Sequence, residues 1–419
     1  MGTAGAARYT VPPCHPRTDQ PLQPDRLRMA AMSTDPTDPS REDPIGWYVH
    51  LPFCTTKCGY CDFYSLPTRP DLIPDLVRAL NREIEQRDPG RPIRTVFIGG
   101  GTPTVLPADA LRDIVGPIAE RVRRQAGVIE FTCEANPSSA DELKLDLLRD
   151  LGVNRLSFGA QSFDPAELRV LDRLHDPGHI SEAMRLARSA GFDNVNLDLI
   201  FGVPGQTVES WLRSLRAAVA LSPDHIACYS LMYEEGTALT KQRRLGLVHP
   251  VDEDIEAEMF ERTEAELVAA GYERYEISNF ARPGRQCRHN LIYWRNEEYL
   301  GIGPSAVSYL RGVRQKNRAD VKAYVDAWGA GNVAGGIVIE REELGREHRA
   351  RETAVQWLRL ADGIDVPAFE RRTGFRAGDL FEPALRRHVT GGLLEANATN
   401  IRLTPRGRLL ANQVMMDFL

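Results

Sequence analysis

No apolar run in this sequence is long enough to cross a bilayer, and its first residues lack the charged, apolar, small-residue order of a secretory signal. A soluble intracellular protein, expected in the cytoplasm, follows. There is no basic surplus either: 52 Lys and Arg stand against 58 Asp and Glu, a formal net charge of -6. Such a balance gives no general field to attract nucleic acid by counterion release. Cysteines are few and odd in number, seven in 419 residues, which excludes a secreted disulfide framework.

With 42% hydrophobic residues the chain can bury a large domain and one or two smaller pieces. Residues 1–45 are rich in Pro, Asp, Ser and Thr without apolar periodicity and are expected to form a disordered extension. It holds Cys14, and Met29 and Met32 are alternative starts. From Gly46 short runs rich in Val, Ile, Phe and Tyr alternate with amphipathic segments. Strands are expected at Trp47 to Leu51, Thr95 to Ile98, Ile129 to Glu134, Arg155 to Phe158, Asn194 to Ile200 and Ile226 to Leu231. Each except the last is followed by a helical pattern, clearest at Ile73 to Glu85 and Ser181 to Ala190. Cys133 and Cys228 lie within strand-like runs and read as small buried hydrophobes.

Six such repeats predict an α/β fold, a partial or complete barrel over residues 46–280, with its site at the carboxyl ends of the strands. The rhythm weakens after Tyr233, and residues 281–345, with the aromatic cluster His289 to Trp294, read as an added connecting segment. Residues 346–419 run helix, helix, hairpin at Leu393 to Leu403, then a last helix at Pro405 to Leu419. That order suits a small, mostly helical, winged-helix-like domain, and its mixed charges offer no DNA-reading face.

Three cysteines are crowded into Cys54-Thr-Thr-Lys-Cys58-Gly-Tyr-Cys61, directly after the first strand. Iron-sulfur cubes normally take four thiolates, so a set of three leaves one iron open to a reactant. Zinc is the alternative, but a closed zinc site needs a fourth ligand, for which His50 is the nearest candidate. Gly99-Gly100-Gly101-Thr102-Pro103 follows the second strand and lets a ligand approach the backbone, yet it lacks the Gly-Lys-Ser/Thr of a phosphate loop. Glu134, Gln161, Arg173 and Asp198 stand at or beyond strand ends. They supply the acceptors, amide and cation that a ligand with a carboxylate, an ammonium and a ribose diol requires.

The Cys-x3-Cys-x2-Cys spacing after an N-terminal strand resembles the radical SAM superfamily. The resemblance implies a partial (β/α)6 barrel, a [4Fe-4S] cluster on Cys54, Cys58 and Cys61, and S-adenosyl-L-methionine on the open iron, cleaved by one-electron reduction to a 5'-deoxyadenosyl radical. It also implies that Gly100, Gly101 and Thr102 contact the methionyl group. From Trp47 to Tyr309 the segments Cys-Glu134-Ala-Asn-Pro, Ser-Phe-Gly-Ala-Gln161-Ser-Phe and Asn-Leu-Asp198-Leu-Ile-Phe-Gly are similar to the anaerobic coproporphyrinogen III oxidase branch. Tyr48 and Tyr60 match its cofactor-contacting positions.

That branch holds oxidases, which carry a further cysteine two positions after the third, and HemW-type haem chaperones, which do not. Here the position is Phe63, and His289-Asn-Leu-Ile-Tyr293-Trp294 resembles the His-Asn-x-x-Tyr-Trp motif of the chaperones. This implies a protein that binds haem through His289 and passes it to an acceptor protein, without coproporphyrinogen oxidase activity. Cys287 is a candidate second ligand or covalent attachment point. An electron donor such as a flavodoxin or ferredoxin is implied if S-adenosylmethionine is cleaved. The alternative is an oxygen-independent coproporphyrinogen III oxidase, decarboxylating two propionates. One departure stands out: the family carries a histidine where this chain has Val307.

Overall fold

A computed structural model describes residues 43–125, 129–329 and 336–419. The expected extension, with Cys14, Met29 and Met32, falls almost wholly outside the described residues.

The six expected strands are present as β1 (Ile45–Leu51), β2 (Ile93–Gly100), β3 (Glu130–Ala135), β4 (Arg155–Gln161), β5 (Val195–Phe201) and β6 (His225–Ser230). They lie side by side in chain order, each parallel to the next. Both faces are covered, so β1 reads Ile-Gly-Trp-Tyr-Val-His-Leu with only Tyr48 partly exposed. Helices α1 (Ile73–Arg87), α2 (Ala108–Arg123), α3 (Glu142–Asp150), α4 (Pro177–Ser189) and α5 (Val208–Ala220) return the chain between strands. Capping boxes fix the starts of α4, through Asp176 and His179, and of α5, through Thr207 and Ser210.

A sixth helix, α6 (Glu253–Ala269), follows β6, where the sequence reading found no clear helical pattern. It buries only Met259, Thr263 and Leu267, a stripe one residue wide, and Trp211 of α5 donates from Nε1 to Thr263 Oγ1 at 2.8 Å. So narrow a stripe leaves little periodicity to read.

The barrel is open, and its sheet grows at both edges. Beyond β6 come the short antiparallel strands β8 (Asn279–Ala281) and β7 (Glu273–Arg274). On the other edge β9 (Tyr299–Ile302) pairs parallel with β1, followed outward by β10 (Val307–Leu310), β11 (Val313–Asn317) and β12 (Val338–Glu343). Residues 281–345, expected as a connecting segment, therefore contribute four strands to the barrel's own sheet. They also supply α7 (Arg288–Trp294) and α8 (Val321–Gly329).

Glu83 of α1 ties this extension down. Its carboxylate, with no exposed surface, accepts from Arg87 Nη1 at 2.6 Å, Asn317 Nδ2 at 2.7 Å, Gly303 N at 2.7 Å and the Tyr324 hydroxyl. A buried carboxylate so fully hydrogen-bonded fixes three elements against one another.

The C-terminal region has its own core, built on Ala354, Leu358, Phe369, Phe381, Val414 and Phe418. Helix α9 (Arg346–Leu358) opens it, and the hairpin Leu394–Ala396 with Asn400–Leu403 forms the wing. The last helix is broken into Pro405–Leu409 and Ala411–Met416.

Candidate functional site at the carboxyl end of the barrel

Cys54, Cys58 and Cys61 sit on the loop leaving β1, all half-buried and none in a disulfide. The loop is pinned from both sides. Gly101 N donates to Leu51 O and Thr102 N to Phe53 O, both at 2.8 Å, so the glycine segment after β2 is stitched to the approach to Cys54. Gly100 N donates to Glu134 Oε2 at 3.0 Å. The amides of Gly100, Gly101 and Thr102 are thus spent within the protein, and the Thr102 carbonyl accepts from Val105 N at 3.0 Å, which leaves the Gly101 carbonyl to meet a ligand. A Cβ on Gly101 would stand 2.5 Å from Phe53 O and 2.6 Å from Leu51 O, so only glycine permits this approach.

Two groups address the sulfurs. The Thr102 hydroxyl donates to Cys54 Sγ at 3.7 Å, and Arg173 Nη1 to Cys58 Sγ at 3.4 Å. Burial pushes the Cys54 thiol up and that of Cys61 to about 11, so both are neutral thiols until a metal displaces their protons.

His50, the candidate zinc ligand, is otherwise engaged. Its Nε2 donates to Tyr64 O at 2.8 Å, which leaves Nδ1 to accept from the Tyr48 hydroxyl at 3.0 Å. Burial lowers its pKa to about 4, and it acts as a neutral strut between β1 and the cysteine loop. Among the described residues no three His, Cys, Asp or Glu side chains converge on one metal ion. A cube takes its thiolates at three separate corners and needs no such convergence.

The polar residues expected around the nucleoside lie on neighbouring strands. Gln161, the last residue of β4, takes φ +66, a strained conformation for a non-glycine residue, and its amide lies over Gly159. Arg173 Nη2 donates to Gly159 O at 2.6 Å, while its buried Nε has no partner in the protein. Asp198 is at the middle of β5 rather than its end, and accepts from Asn196 Nδ2 at 2.8 Å and Ser157 Oγ at 3.3 Å. Burial raises Glu134 to about 8, helped by the negative Asp198, whose own pKa is also pushed up by burial. Two acceptors seeking a cation and an unpartnered guanidinium Nε form a cradle suited to an amino acid head group. Tyr60, beside Arg173 and both Cys58 and Cys61, is held neutral by burial.

His289 is not among them. It lies on α7 at the amino end of the barrel, fully enclosed, with Nδ1 sharing a hydrogen bond with Thr95 Oγ1 at 2.8 Å and Nε2 with the Tyr293 hydroxyl at 2.9 Å. Its ring stacks on Phe97 at 5.2 Å, and burial lowers its pKa to about 3. In this conformation neither nitrogen is open to iron. Cys287 is likewise closed off: it is 1% exposed, donates to Glu130 Oε1 at 3.5 Å, and burial pushes its thiol to about 12. In this conformation Cys287, the candidate second ligand or attachment point, offers no open face to a haem. Val307 opens β10, paired with Lys316 in the sheet extension.

Sequence reasoning missed the groups that organise this interior. Glu130 accepts from Arg288 N at 2.8 Å and His289 N at 2.9 Å, and Arg155, fully buried, faces it. Neither residue belongs to a motif, and the only signal is a charge at the head of an apolar strand.

Residues 48–218 match the radical SAM superfamily and residues 344–410 the HemN C-terminal domain. The heme chaperone HemW of Bacillus subtilis is 35% identical over 89% of this chain and 98% of its own length. The chain belongs to the HemW family of radical SAM proteins. The HemW of Escherichia coli is 32% identical over 90% of this chain and 98% of its own. Among solved structures, coproporphyrinogen III oxidase (HemN) from Escherichia coli, a radical SAM enzyme, superimposes with a TM-score of 0.77 at 26% identity, covering 90% of both chains. Membership of the HemW family brings with it the superfamily's [4Fe-4S] cluster and S-adenosylmethionine. The three unpaired cysteines and the cradle of Glu134, Asp198 and Arg173 fit that pair of groups. Among the described residues no helix is long and apolar enough to cross a membrane.

Proposed function

We propose that the protein binds haem and hands it to an acceptor protein, with a [4Fe-4S] cluster on Cys54, Cys58 and Cys61 and S-adenosylmethionine on the remaining iron. The observation that carries this reading is the likeness to HemW chaperones along nearly their whole length. Position 63 supports it. The phenyl ring of Phe63 is 65% exposed there, so the loop offers no fourth thiol beyond Cys61.

In this reading S-adenosylmethionine would draw on one-electron chemistry at the cluster. The chain's own part is to orient it: Glu134 and Asp198 accept from the ammonium and ribose, Arg173 faces the carboxylate, and Gln161, Tyr48 and Tyr60 close the site. His289 is the proposed iron ligand for haem, and it becomes available only when α7 shifts enough to release Thr95 or Tyr293. The place of action is the cytoplasm, and a flavodoxin- or ferredoxin-type donor supplies electrons if the sulfonium is cleaved.

HemN's structural likeness favours one rival, coproporphyrinogen III oxidation. Anaerobically reconstituted protein is mixed with reductant, S-adenosylmethionine and coproporphyrinogen III, and in parallel titrated with haem. Haem binding without turnover is expected. Sustained protoporphyrinogen formation overturns the chaperone reading. Cys58→Ser is expected to lose the cluster, and His289→Ala to weaken haem binding.

A further inference from the structure

The amino end of the barrel, remote from the cysteines, carries a cavity of about 560 Å³. That lies within the roughly 300–1,000 Å³ span of small-molecule sites. Its walls combine the apolar side chains of Ile93, Ile129 and Leu291 with the guanidinium groups of Arg94, Arg288 and Arg295. Arg94 is already paired with Glu297 at 2.6 Å. Arg288 and Arg295 have no acidic side-chain partner among the described residues, and both face the cavity.

Their placement is built into α7. Residues 288, 291 and 295 recur at the spacing of one helical face, whereas His289 and Tyr293 are bonded to each other and His289 to Thr95 inside the barrel. One side of the helix therefore closes the barrel and the other lines the cavity. Glu130 holds the first turn from within by accepting from two of its amides, so the backbone carrying Arg288 is fixed.

We propose that this cavity receives the propionate edge of haem, with Arg288 and Arg295 each binding a carboxylate. The inference rests on the reading of the chain as a haem carrier and adds where the cargo's anionic edge sits. Haem is an apolar disc with two carboxylates on one rim. The cavity offers the complement: walls that are in part apolar and two uncommitted guanidinium groups, whose planar forks match carboxylates. A compact inorganic anion would leave the apolar walls unused. The assignment concerns the carboxylates and holds whichever residue ligates the iron.

The test compares haem with its dimethyl ester, in which both propionates are blocked, by Soret titration of the full-length protein. The wild type should prefer the free acid. R288Q/R295Q should lose most of that preference, with roughly tenfold or more weakening for haem, as expected for losing charge-assisted hydrogen bonds, and little change for the ester. R288K/R295K should recover part of it, which separates a charge effect from misfolding. A double Gln variant that keeps the full preference for the free acid overturns the cavity assignment alone, as does equal weakening for acid and ester. A wild type that binds neither overturns the haem-carrier reading beneath it.

Discussion

Arg173 Nη1 stands 3.4 Å from the sulfur of Cys58, while Nη2 of the same guanidinium holds the carbonyl of Gly159 at 2.6 Å. One side chain thus links the cysteine loop to the end of β4, where Gln161 is strained. Arg173→Lys keeps the charge but loses the fork. S-adenosylmethionine affinity should fall about tenfold, the scale of a charged hydrogen bond, with iron content unchanged. Anaerobic equilibrium dialysis with an iron assay measures both, and unaltered affinity would remove Arg173 from the site.

Thr102 donates to Cys54 Sγ at 3.7 Å. Hydrogen bonds to sulfur stabilise the reduced, more negative cluster. Thr102→Val should therefore lower the midpoint potential, as read by a redox titration followed by electron paramagnetic resonance. A potential that stays put or rises contradicts the contact.

Gly101→Ala drives a methyl group into the carbonyls of Leu51 and Phe53. The cost should be about 1–3 kcal/mol, typical of overpacking, with the added penalty that Cys54 is displaced. Lower thermal stability together with reduced iron loading is expected; normal loading at full stability would refute it.

Glu134 gives a pH dependence with a definite sign. Its folded pKa, about 8, lies above the ordinary carboxylate value because burial and Asp198 disfavour the charge. Below about pH 4.3 both folded and unfolded states hold the proton, and above it the unfolded state loses its proton first. The folded state then binds more protons, so stability of the cofactor-free protein falls as pH rises toward 8, by up to about 1.4 kcal/mol per unit. Glu134→Gln should flatten that part of the profile in urea denaturation. Identical slopes for variant and wild type would show that Glu134 ionises normally.

Glu83→Ala should be among the most damaging single changes outside the site. It removes the carboxylate partner of Arg87 and takes the acceptor from Gly303 N and the Tyr324 hydroxyl, while Asn317 keeps its bonds to Gly303 O and Arg87. A loss of about 3–5 kcal/mol is expected from breaking a buried pair. Chemical denaturation measures it, and a loss under 1 kcal/mol would mean the network relaxes onto water.

The barrel strands were legible because two-sided burial writes short apolar runs such as Trp47 to Val49 and Val96 to Ile98, and the cysteine loop because three thiolates in eight residues have few other uses. Helix α6 was not, since only Met259, Thr263 and Leu267 turn inward. Strand β9 escaped because Tyr299–Ile302 is four residues long and pairs with β1, some 250 positions earlier. Asp198 was recognised by its residue type, but its place at mid-strand depends on where β5 ends. The two hydrogen bonds that occupy His289 depend on Thr95, far off in sequence, and no local pattern announces them.

The pairing of β9 with β1 also decides where the chain can be cut. A fragment ending at residue 280 would lay bare the whole flank of the first strand, an invitation to intermolecular strand addition. It would also take from the Glu83 carboxylate its partners Gly303, Asn317 and Tyr324, leaving Arg87 alone. Proteolysis within residues 281–345 should therefore destabilise the barrel.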